Sequence, residues 1–334
     1  MTFERILIVG FGNIGLRHLG IARDIFPNSK IAALRSKKIN IIPKGANKVF
    51  NTLSDAIKFK PQIAIICSPA SSHVQISLAL AKEGIHLLIE KPISNEQNGL
   101  EQLNNTALKN NCVLMVGYNL RFLPSLNKFK SLIDNNLIGN LYSVRSEVGQ
   151  YLPNWRNKDY RTTVSAQKIL GGGVLLELSH EIDYLRWIFG DVEFVQAQVS
   201  KQSDLDIDVE DNANILINFK NNKKNTNLVA SLSLDFIRHD RVRMCYVIGE
   251  KGSLRWNGIN NEVDLFELNT NHWKNIYKDV ASLDKSYKEE WLHFIECVTK
   301  KVQPKIDFHE GAKVLKIIDS INYAASSGTK VKVK

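Results

Sequence analysis

A histidine and three carboxylates follow a run of three glycines in the stretch "GGGVLLELSHEID", residues 171–183. On a continuous ideal helix, Glu177, His180 and Tyr184 would share one stripe, because residues three and four apart lie on the same face. Histidine titrates near neutral pH and serves as a general acid or base, and Glu177 would then orient or polarise its ring. A helix with one solvated polar stripe is the alternative, and periodicity alone favours it.

A second motif, "VGFGNIG", places Gly10, Gly12 and Gly15 in the G-x-G-x-x-G spacing directly after an apolar run. In that context the glycines predict a tight turn that brings backbone N–H groups and a helix N-terminus to a dinucleotide pyrophosphate. Twenty residues after Gly15, where an acid would bind the ribose of NAD, the chain has Arg35 in the run "LRSKK" (34–38). This favours NADP over NAD, and a solvated basic loop is the alternative.

A third group is Lys91, which follows an apolar run in "LLIEKPIS" (87–94) and precedes Pro92. Ligands of open α/β sheets bind beyond the carboxyl ends of the strands, so an ammonium at this strand end would face the nicotinamide side of the crevice. A surface lysine in a turn explains the same residues equally well.

The elements that must position these groups change in pattern near residue 120. Before it, apolar runs alternate with helical patterns, which is typical of a doubly wound parallel α/β sheet. Strands are predicted at 5–10, 30–34, 48–50, 62–67, 85–90 and 112–117, with helices at 13–25, 71–84 and 95–111. We therefore expect a dinucleotide-binding Rossmann domain over residues 1–120.

After Gly117 the chain reads as a helix from Pro124 and then strands with period-two alternation, at 143–150, 192–199, 212–219, 228–236 and 242–249. Alternation of this kind predicts an open, mainly antiparallel sheet with one face covered. We expect the helix after the three glycines and two further helices, 285–301 and 309–328, to provide that cover. Residues 121–334 are thus predicted to form a second domain of the α+β class.

Composition restricts the class of protein. The 334 residues suit two domains, and 44% hydrophobic with 23% charged residues is typical of soluble globular proteins. The chain has no membrane-length apolar run and no signal-peptide pattern, and its four cysteines are scattered. We therefore expect a cytoplasmic protein with reduced thiols and no membrane partner.

The formal net charge of +10 favours an anionic partner, and charge alone does not choose between nucleic acid and a phosphorylated or carboxylated small molecule. The basic residues are dispersed and form no nucleic-acid-binding motif, so we expect no nucleic-acid partner. The chain also lacks HExxH, ligand-spaced histidines and G-x-S-x-G, so neither a metal site nor a serine hydrolase is predicted.

The segment "YLPNWRNKDYR" (151–161) is predicted to be a loop on the substrate side. Its aromatic residues, including Trp155, would lie against an apolar face of a ligand, and Arg156 and Arg161 would bind a carboxylate or phosphate. A structural loop with a buried tryptophan is the alternative. Arg121 in "NLRF" is a further substrate-binding candidate.

These motifs together resemble those of the Gfo/Idh/MocA oxidoreductases. The resemblance covers nearly the whole chain and rests on "GFGNIGLRH" (10–18), "CSPASSHVQISLALAKEGIHLLIEKP" (67–92), "VGYNLRFLP" (116–124) and "GGGVLLELSHEID". It implies a Rossmann domain followed by an α+β domain, residues 121–334, that binds the substrate and whose open sheet forms a homodimer or homotetramer. It also implies pyranose, cyclitol or nucleotide-sugar substrates that are oxidised or reduced at a ring carbon.

By the same resemblance, Lys91 matches the lysine that binds the reacting hydroxyl, His180 the catalytic acid/base, and Asp183 a substrate-binding acid. Glu177 corresponds to a position usually held by Asp, but it lies three residues before the histidine, where the family commonly has a spacing of four. The cofactor-binding residues implied are Gly10, Gly12, Asn13, Ile14, Gly15, Arg35, Ser68, Pro69, His73, Glu90 and Lys91.

Three functions fit this resemblance. The first is an NAD(P)-dependent sugar oxidoreductase that acts on an anionic or nucleotide-linked sugar. The second is a redox-assisted glycosidase that uses bound NAD without net turnover, and the third is a non-catalytic NAD(P)-binding regulator. The presence of Lys91 and His180 argues against the third.

Overall fold

The computed structural model describes residues 3–35, 42–156, 158–221, 226–280 and 284–334. The chain forms two compact units, the first from Met1–Tyr118 and Tyr287–Leu315, the second from Asn119–Ser286 and Lys316–Lys334. This differs from the single division predicted at residue 120, because the segment 287–315 packs within the first unit. None of the helices within the described ranges is long and apolar enough to cross a membrane.

The first unit is built on six parallel strands in the order β3-β2-β1-β4-β5-β6. The strands are β1 Arg5–Val9, β2 Lys30–Leu34, β3 Lys48–Phe50, β4 Ile63–Ile66, β5 His86–Glu90 and β6 Leu114–Gly117. The helices that alternate with them are α1 Asn13–Ile25, α2 Leu53–Lys58, α3 His73–Lys82 and α4 Leu100–Lys109. The predicted Rossmann sheet is confirmed.

The apolar runs of this unit form strands because they are buried on both faces. Ile6, Leu7 and Ile8 of β1 have no exposed surface, and the same is true of β4 and of the central residues of β5, 87–89. Continuous hydrophobic runs are what a parallel sheet covered on both sides requires. The carboxyl ends of β1, β4 and β5 therefore lie along one edge, and the glycine turn and Lys91 follow them.

The second unit contains a nine-stranded sheet in the order β14-β13-β12-β11-β7-β10-β9-β8-β15. Its strands are β7 Leu141–Gly149, β8 Val192–Ser200, β9 Asn212–Phe219, β10 Val229–Asp235, β11 Val242–Gly249, β12 Gly252–Asn257, β13 Glu262–Glu267, β14 Trp273–Lys278 and β15 Val331–Lys332. The pairs are antiparallel except β7 with β10, so the predicted, mainly antiparallel sheet is confirmed.

The remaining helices are α5 Pro124–Asp134, α6 Val174–Glu177, α7 His180–Phe189, α8 Asp284–Lys300 and α9 Phe308–Ser327. The expectation that the helix at 285–301 covers the second sheet is wrong. From Tyr287 onward it belongs to the first unit, where the buried Trp291 donates a hydrogen bond to His18 of α1. Its apolar face matched a helix packed on a sheet, but helical periodicity does not identify the sheet.

Candidate active site

The glycine motif forms the turn between β1 and α1. Gly10 has a φ of +93°, and a Cβ there would lie 2.6 Å from the carbonyl oxygen of Cys67. A Cβ on Gly15 would lie 2.1 Å from the carbonyl oxygen of Gly10. The turn and the first turn of α1 are therefore packed at a separation that only glycine allows.

Gly12 faces a different environment, since no heavy atom within the described residues lies within 4 Å of a Cβ built on it. It is the N-cap of α1 and has no side chain to satisfy the N–H groups of the first helical turn. Asn13 and Ile14 begin that turn, which contains no acidic residue. Open space, uncapped donors and the helix dipole fit the pyrophosphate of a dinucleotide.

Arg35 lies directly after β2, and its backbone N–H donates to the carbonyl oxygen of Phe50 at 3.0 Å. It therefore lies at the same edge of the sheet as the glycine turn. Ser36, Lys37 and Lys38, the rest of the predicted 2′-phosphate loop, lie outside the described residues.

His73 joins the loops that follow β4 and β5. Its Nε2 lies 2.8 Å from the carbonyl oxygen of Ser68, and its Nδ1 lies 2.9 Å from that of Pro92. Only an imidazolium would donate to both carbonyls, whereas burial lowers the pKa of His73, so a neutral ring donates to one of them. The ring fixes the loop that carries Ser68 and Pro69, and direct cofactor binding by these three residues stays a prediction.

Glu90 ends β5, and its carboxylate lies in the interior of the first unit. Oε1 lies 2.7 Å from Nε2 of His18, and Oε2 accepts the backbone N–H of Lys91 at 3.2 Å. The side chain is 9% exposed. Lys91 itself is partly buried. The Glu90 carboxylate is thus held inside the first unit at the end of β5, directly before Lys91. Cofactor binding by Glu90 stays a prediction.

In the second unit the predicted helix after the three glycines is interrupted. α6 ends at Glu177 and α7 begins at His180, because Leu178 departs from helical geometry with φ −101° and ψ 22°. The single stripe expected for Glu177, His180 and Tyr184 is therefore wrong. Separate tertiary contacts hold the two helices: Glu210 accepts the Leu175 N–H of α6, while the Tyr184 hydroxyl of α7 lies 2.6 Å from Ser146 Oγ.

Glu177 therefore makes contacts that its sequence position relative to His180 did not suggest. Its carboxylate accepts a hydrogen bond from Ser165 Oγ and lies 3.9 Å from Nη2 of Arg156. His180 opens α7 and is 9% exposed. Orientation of the His180 imidazole by Glu177 stays a prediction.

The three glycines allow close approach of the chain to itself. A Cβ on Gly172 would lie 2.3 Å from the carbonyl oxygen of Val164, and one on Gly173 would lie 2.3 Å from Oε1 of Glu210. The loop at Val164 and the carboxylate of Glu210 therefore pack directly on the backbone that leads into α6.

Asp183 and Arg121 form a buried ion pair. Nε of Arg121 donates to Oδ2 of Asp183 at 2.9 Å, and Nη2 donates to Oδ1 at 2.6 Å. Their side chains are 1% and 3% exposed, and the guanidinium lies 5.6 Å from the ring centroid of Trp187. Both were predicted to bind substrate; the structure has them bind each other, and substrate contact by either one stays a prediction.

Asp183→Asn should lower the free energy of unfolding by about 3–5 kcal/mol, because it leaves the buried Arg121 guanidinium without its carboxylate. Urea denaturation at neutral pH measures this. Asp159→Asn is the matched control, since Asp159 pairs with Arg161 in an exposed position and its loss should change stability little. Equal effects of the two substitutions would contradict a structural role for the buried pair.

The predicted substrate loop lies around a narrow pocket of the second unit that has no room for a water molecule. The pocket is lined by Leu152, Trp155, Arg156, Lys158, Tyr160, Thr163 and Ser165. The indole N–H of Trp155 donates to the carbonyl oxygen of Gln150 at 3.1 Å. Ser165 and Arg156, which line the pocket, also contact Glu177 at the end of α6. The pocket therefore lies next to this helix.

Arg161 does not line this pocket; it pairs with Asp159 at 2.8 Å and is 56% exposed. Sequence reasoning missed Lys158, Thr163 and Ser165. The basic character of the loop was a signal for Lys158, but no local pattern marked the other two.

Two family profiles cover most of the chain. The one described as "Oxidoreductase family, NAD-binding Rossmann fold" matches residues 4–118, and "Oxidoreductase family, C-terminal alpha/beta domain" matches residues 130–333. Among curated proteins, the myo-inositol 2-dehydrogenase of Thermotoga maritima is 25% identical over 98% of this chain and 97% of its own length. The rhizopine catabolism protein MocA of Rhizobium meliloti is 28% identical, over 57% of this chain and 58% of its own.

Solved structures share the fold. A levoglucosan dehydrogenase in complex with NADH has a TM-score of 0.84 at 21% identity and covers 99% of both chains. The WlbA dehydrogenase from Bordetella pertussis, in complex with NADH and UDP-GlcNAcA, has a TM-score of 0.81 at 19% identity and covers 100% of this chain and 99% of its own. At these identities the likeness establishes the architecture of the chain.

Proposed function

The chain belongs to the Gfo/Idh/MocA oxidoreductase family, and we propose from this premise that it transfers a hydride between NAD(P) and a ring carbon of a sugar. An anionic or nucleotide-linked sugar is the substrate class we favour. The observation that carries the proposal is the uncapped N-terminus of α1 behind the glycine turn, with open space at Gly12. It supplies the donors that a dinucleotide pyrophosphate requires.

The proposed chemistry needs a base and a cation. The nicotinamide ring, when bound, supplies the hydride acceptor or donor. In the oxidative direction, His180 accepts the proton of the reacting hydroxyl, and the ammonium of Lys91 stabilises the negative charge that develops on its oxygen. In the reductive direction, His180 returns the proton to that oxygen.

The relatives support a sugar substrate. Myo-inositol 2-dehydrogenase and levoglucosan dehydrogenase are named for a cyclitol and an anhydrosugar, and the WlbA structure contains a nucleotide sugar. The positive charges of Arg156 and Lys158, which both line the narrow pocket beside α6, support a substrate with a negatively charged group.

A turnover assay with free cofactor tests the proposal. Neutral sugars, sugar acids, sugar phosphates and nucleotide sugars are each supplied with NAD⁺ and NADP⁺, and reduced cofactor is followed by fluorescence. Net reduction with an acidic or nucleotide-linked sugar supports the proposed function. Equal turnover of neutral sugars contradicts the anionic class. Glycoside cleavage without net reduction favours the redox-assisted glycosidase instead.

We propose NADP as the preferred cofactor because Arg35 stands where an acid would bind the ribose of NAD. Arg35→Asp should shift the ratio of NADPH to NADH dissociation constants toward NADH by about 10- to 100-fold, the range for losing one charge-assisted hydrogen bond. Fluorescence titration with both reduced cofactors measures the shift. The control is Lys30→Asp, which makes the same charge change at the exposed opposite end of β2. Tighter binding of NADH by the unchanged protein would refute the preference.

A further inference from the structure

Three buried side chains of the first unit lie close together at the carboxyl end of β5, directly before Lys91. A ring nitrogen of His18 and one carboxylate oxygen each of Glu90 and Glu290 lie within 4.8 Å of one another. His18 and Glu290 have no exposed surface, and Glu90 is also buried. A histidine and two carboxylates are a familiar metal-ligand set, so the protonation state of each group decides what the cluster does.

The hydrogen bonds of His18 fix its tautomer. The indole N–H of Trp291 donates to Nδ1 at 2.8 Å, and an indole can only donate, so Nδ1 carries no proton. Nε2 is then protonated and donates to Oε1 of Glu90 at 2.7 Å. A metal on Nε2 would displace that proton and leave the ring an anion, whereas metal-bound histidines normally donate from their other nitrogen. The cluster is therefore unsuited to a metal.

The two carboxyl groups differ in their partners. Glu90 accepts N–H groups from His18 and from the backbone of Lys91, which stabilise its negative charge. Both carboxyl oxygens of Glu290 are buried, and neither has a hydrogen-bond partner among the residues that the structure describes. Two adjacent buried carboxylates cannot both keep a negative charge without compensation, so one of them holds a proton. The partners assign that proton to Glu290.

We propose that Glu290 is a positioning residue: it stays protonated at neutral pH and limits the cluster to the single negative charge of Glu90, which holds the Lys91 backbone. This rests on the proposed catalytic role of Lys91. Without the proton on Glu290, repulsion between the two carboxylates would move Glu90 and the chain it holds.

The other ionisable groups around Glu290 do not change the assignment of the proton to its carboxyl group. On α1 they are Arg17 and the neutral His18, and the guanidinium of Arg17 lies 5.0 Å from the ring centroid of Tyr287. Burial and the charge of Glu90 raise the pKa values of the Cys67 thiol and the Tyr287 hydroxyl, so both are neutral. Burial, and then the charge of Glu90, likewise raises the pKa of Glu290 well above its usual range.

The raised pKa sets the direction of the pH dependence. The folded state holds the Glu290 proton more tightly than the unfolded state, whose glutamate pKa is about 4.3. The stability that this proton contributes is present below that pH and is lost as pH rises toward the folded pKa. A carboxamide cannot titrate in this range, so Glu290→Gln should flatten the profile. The folding equilibrium constant of the unchanged protein, divided by that of Glu290→Gln, should fall about tenfold per pH unit between the two pKa values.

Two measurements that need no turnover test the protonation. The first is urea denaturation across pH for the unchanged protein, Glu290→Gln and the control Glu289→Gln, which alters an exposed neighbour on α8. The second is infrared difference spectroscopy, in which a protonated carboxyl band should be present at neutral pH and absent from Glu290→Gln. A pH-independent stability ratio, or no such band, overturns the proposal. If Glu290→Gln does not fold, the band and its loss at alkaline pH in the unchanged protein decide the matter.

Positioning is tested by activity. The kcat of the unchanged protein should fall as pH rises toward the folded pKa of Glu290, with little change in KM, because a second negative charge would displace Glu90 and the chain that it holds. Glu290→Gln is uncharged at every pH, so it should retain kcat and lack this fall. Identical pH profiles of kcat for the two proteins overturn the positioning role. If the infrared band is present but Lys91→Ala leaves the activity intact, the proposed role of Lys91 fails and the protonation of Glu290 stands.

Discussion

His180→Ala should lower kcat by about 10²–10⁴-fold, the range expected for loss of a general base, and should leave the affinity for NADPH near that of the unchanged protein. The imidazole is the proposed acceptor of the hydroxyl proton, so its removal affects the chemical step. The proposed role of His180 is proton transfer at the substrate hydroxyl, so the cofactor affinity should change little when its ring is removed.

The measurement combines steady-state kinetics on the active sugar with fluorescence titration of NADPH. His272→Ala is the matched control, because His272 is exposed and its ring contacts its own loop, at the carbonyl oxygen of Thr270. Denaturation curves establish that both variants fold. Near-full activity of His180→Ala would mean that α7 has a structural role and that another group moves the proton.

The first unit could be predicted closely from sequence because its signals are local. The bounds of α1, β2 and β3 match the predicted ranges, since each strand is a short apolar run and the glycine spacing marks the start of the helix. The strands β12, β13 and β14 escaped prediction. Each has six residues, and β14, "WKNIYK", is largely exposed and rich in lysine, so its pattern resembles a polar loop.

The parts of the candidate site that depend on distant contacts could not be predicted. The helices on either side of the break at Leu178 contact Glu210 and Ser146, which lie 35 and 38 positions from their partners Leu175 and Tyr184. The pairing of Arg121 with Asp183 joins residues 62 positions apart, so each looked available for a substrate. Residue type singled out these polar groups as candidates, whereas their partners depend on tertiary packing that no local pattern encodes.

The cluster of His18, Glu90 and Glu290 shows the same limit of prediction from sequence. His18 lies within the motif "GFGNIGLRH", and Glu90 precedes the predicted catalytic lysine, so both were visible as parts of motifs. Glu290 and Trp291 lie on α8, which periodicity assigned to the second domain. An acidic residue on a predicted helix is ordinarily solvated, and only the packed structure shows that this one is buried.

Lys91→Ala should lower kcat by about 10²–10³-fold, the usual cost of removing one group that stabilises a developing oxyanion. The NADPH affinity should change far less, because the proposed role of the ammonium is at the substrate oxygen. Lys82→Ala is the control, since Lys82 is an exposed lysine at the end of α3. A rise in the NADPH dissociation constant as large as the loss in kcat would instead assign Lys91 to cofactor binding.

The double variant distinguishes one catalytic unit from two independent effects. If Lys91 and His180 act on the same hydroxyl, removing the second group after the first costs little, and the double variant should resemble the slower single variant. Independent contributions would multiply, to about 10⁴–10⁷-fold. Single-turnover kinetics at saturating cofactor measure the chemical step directly. A multiplicative loss would therefore contradict a shared oxygen, even if each residue alone proves essential.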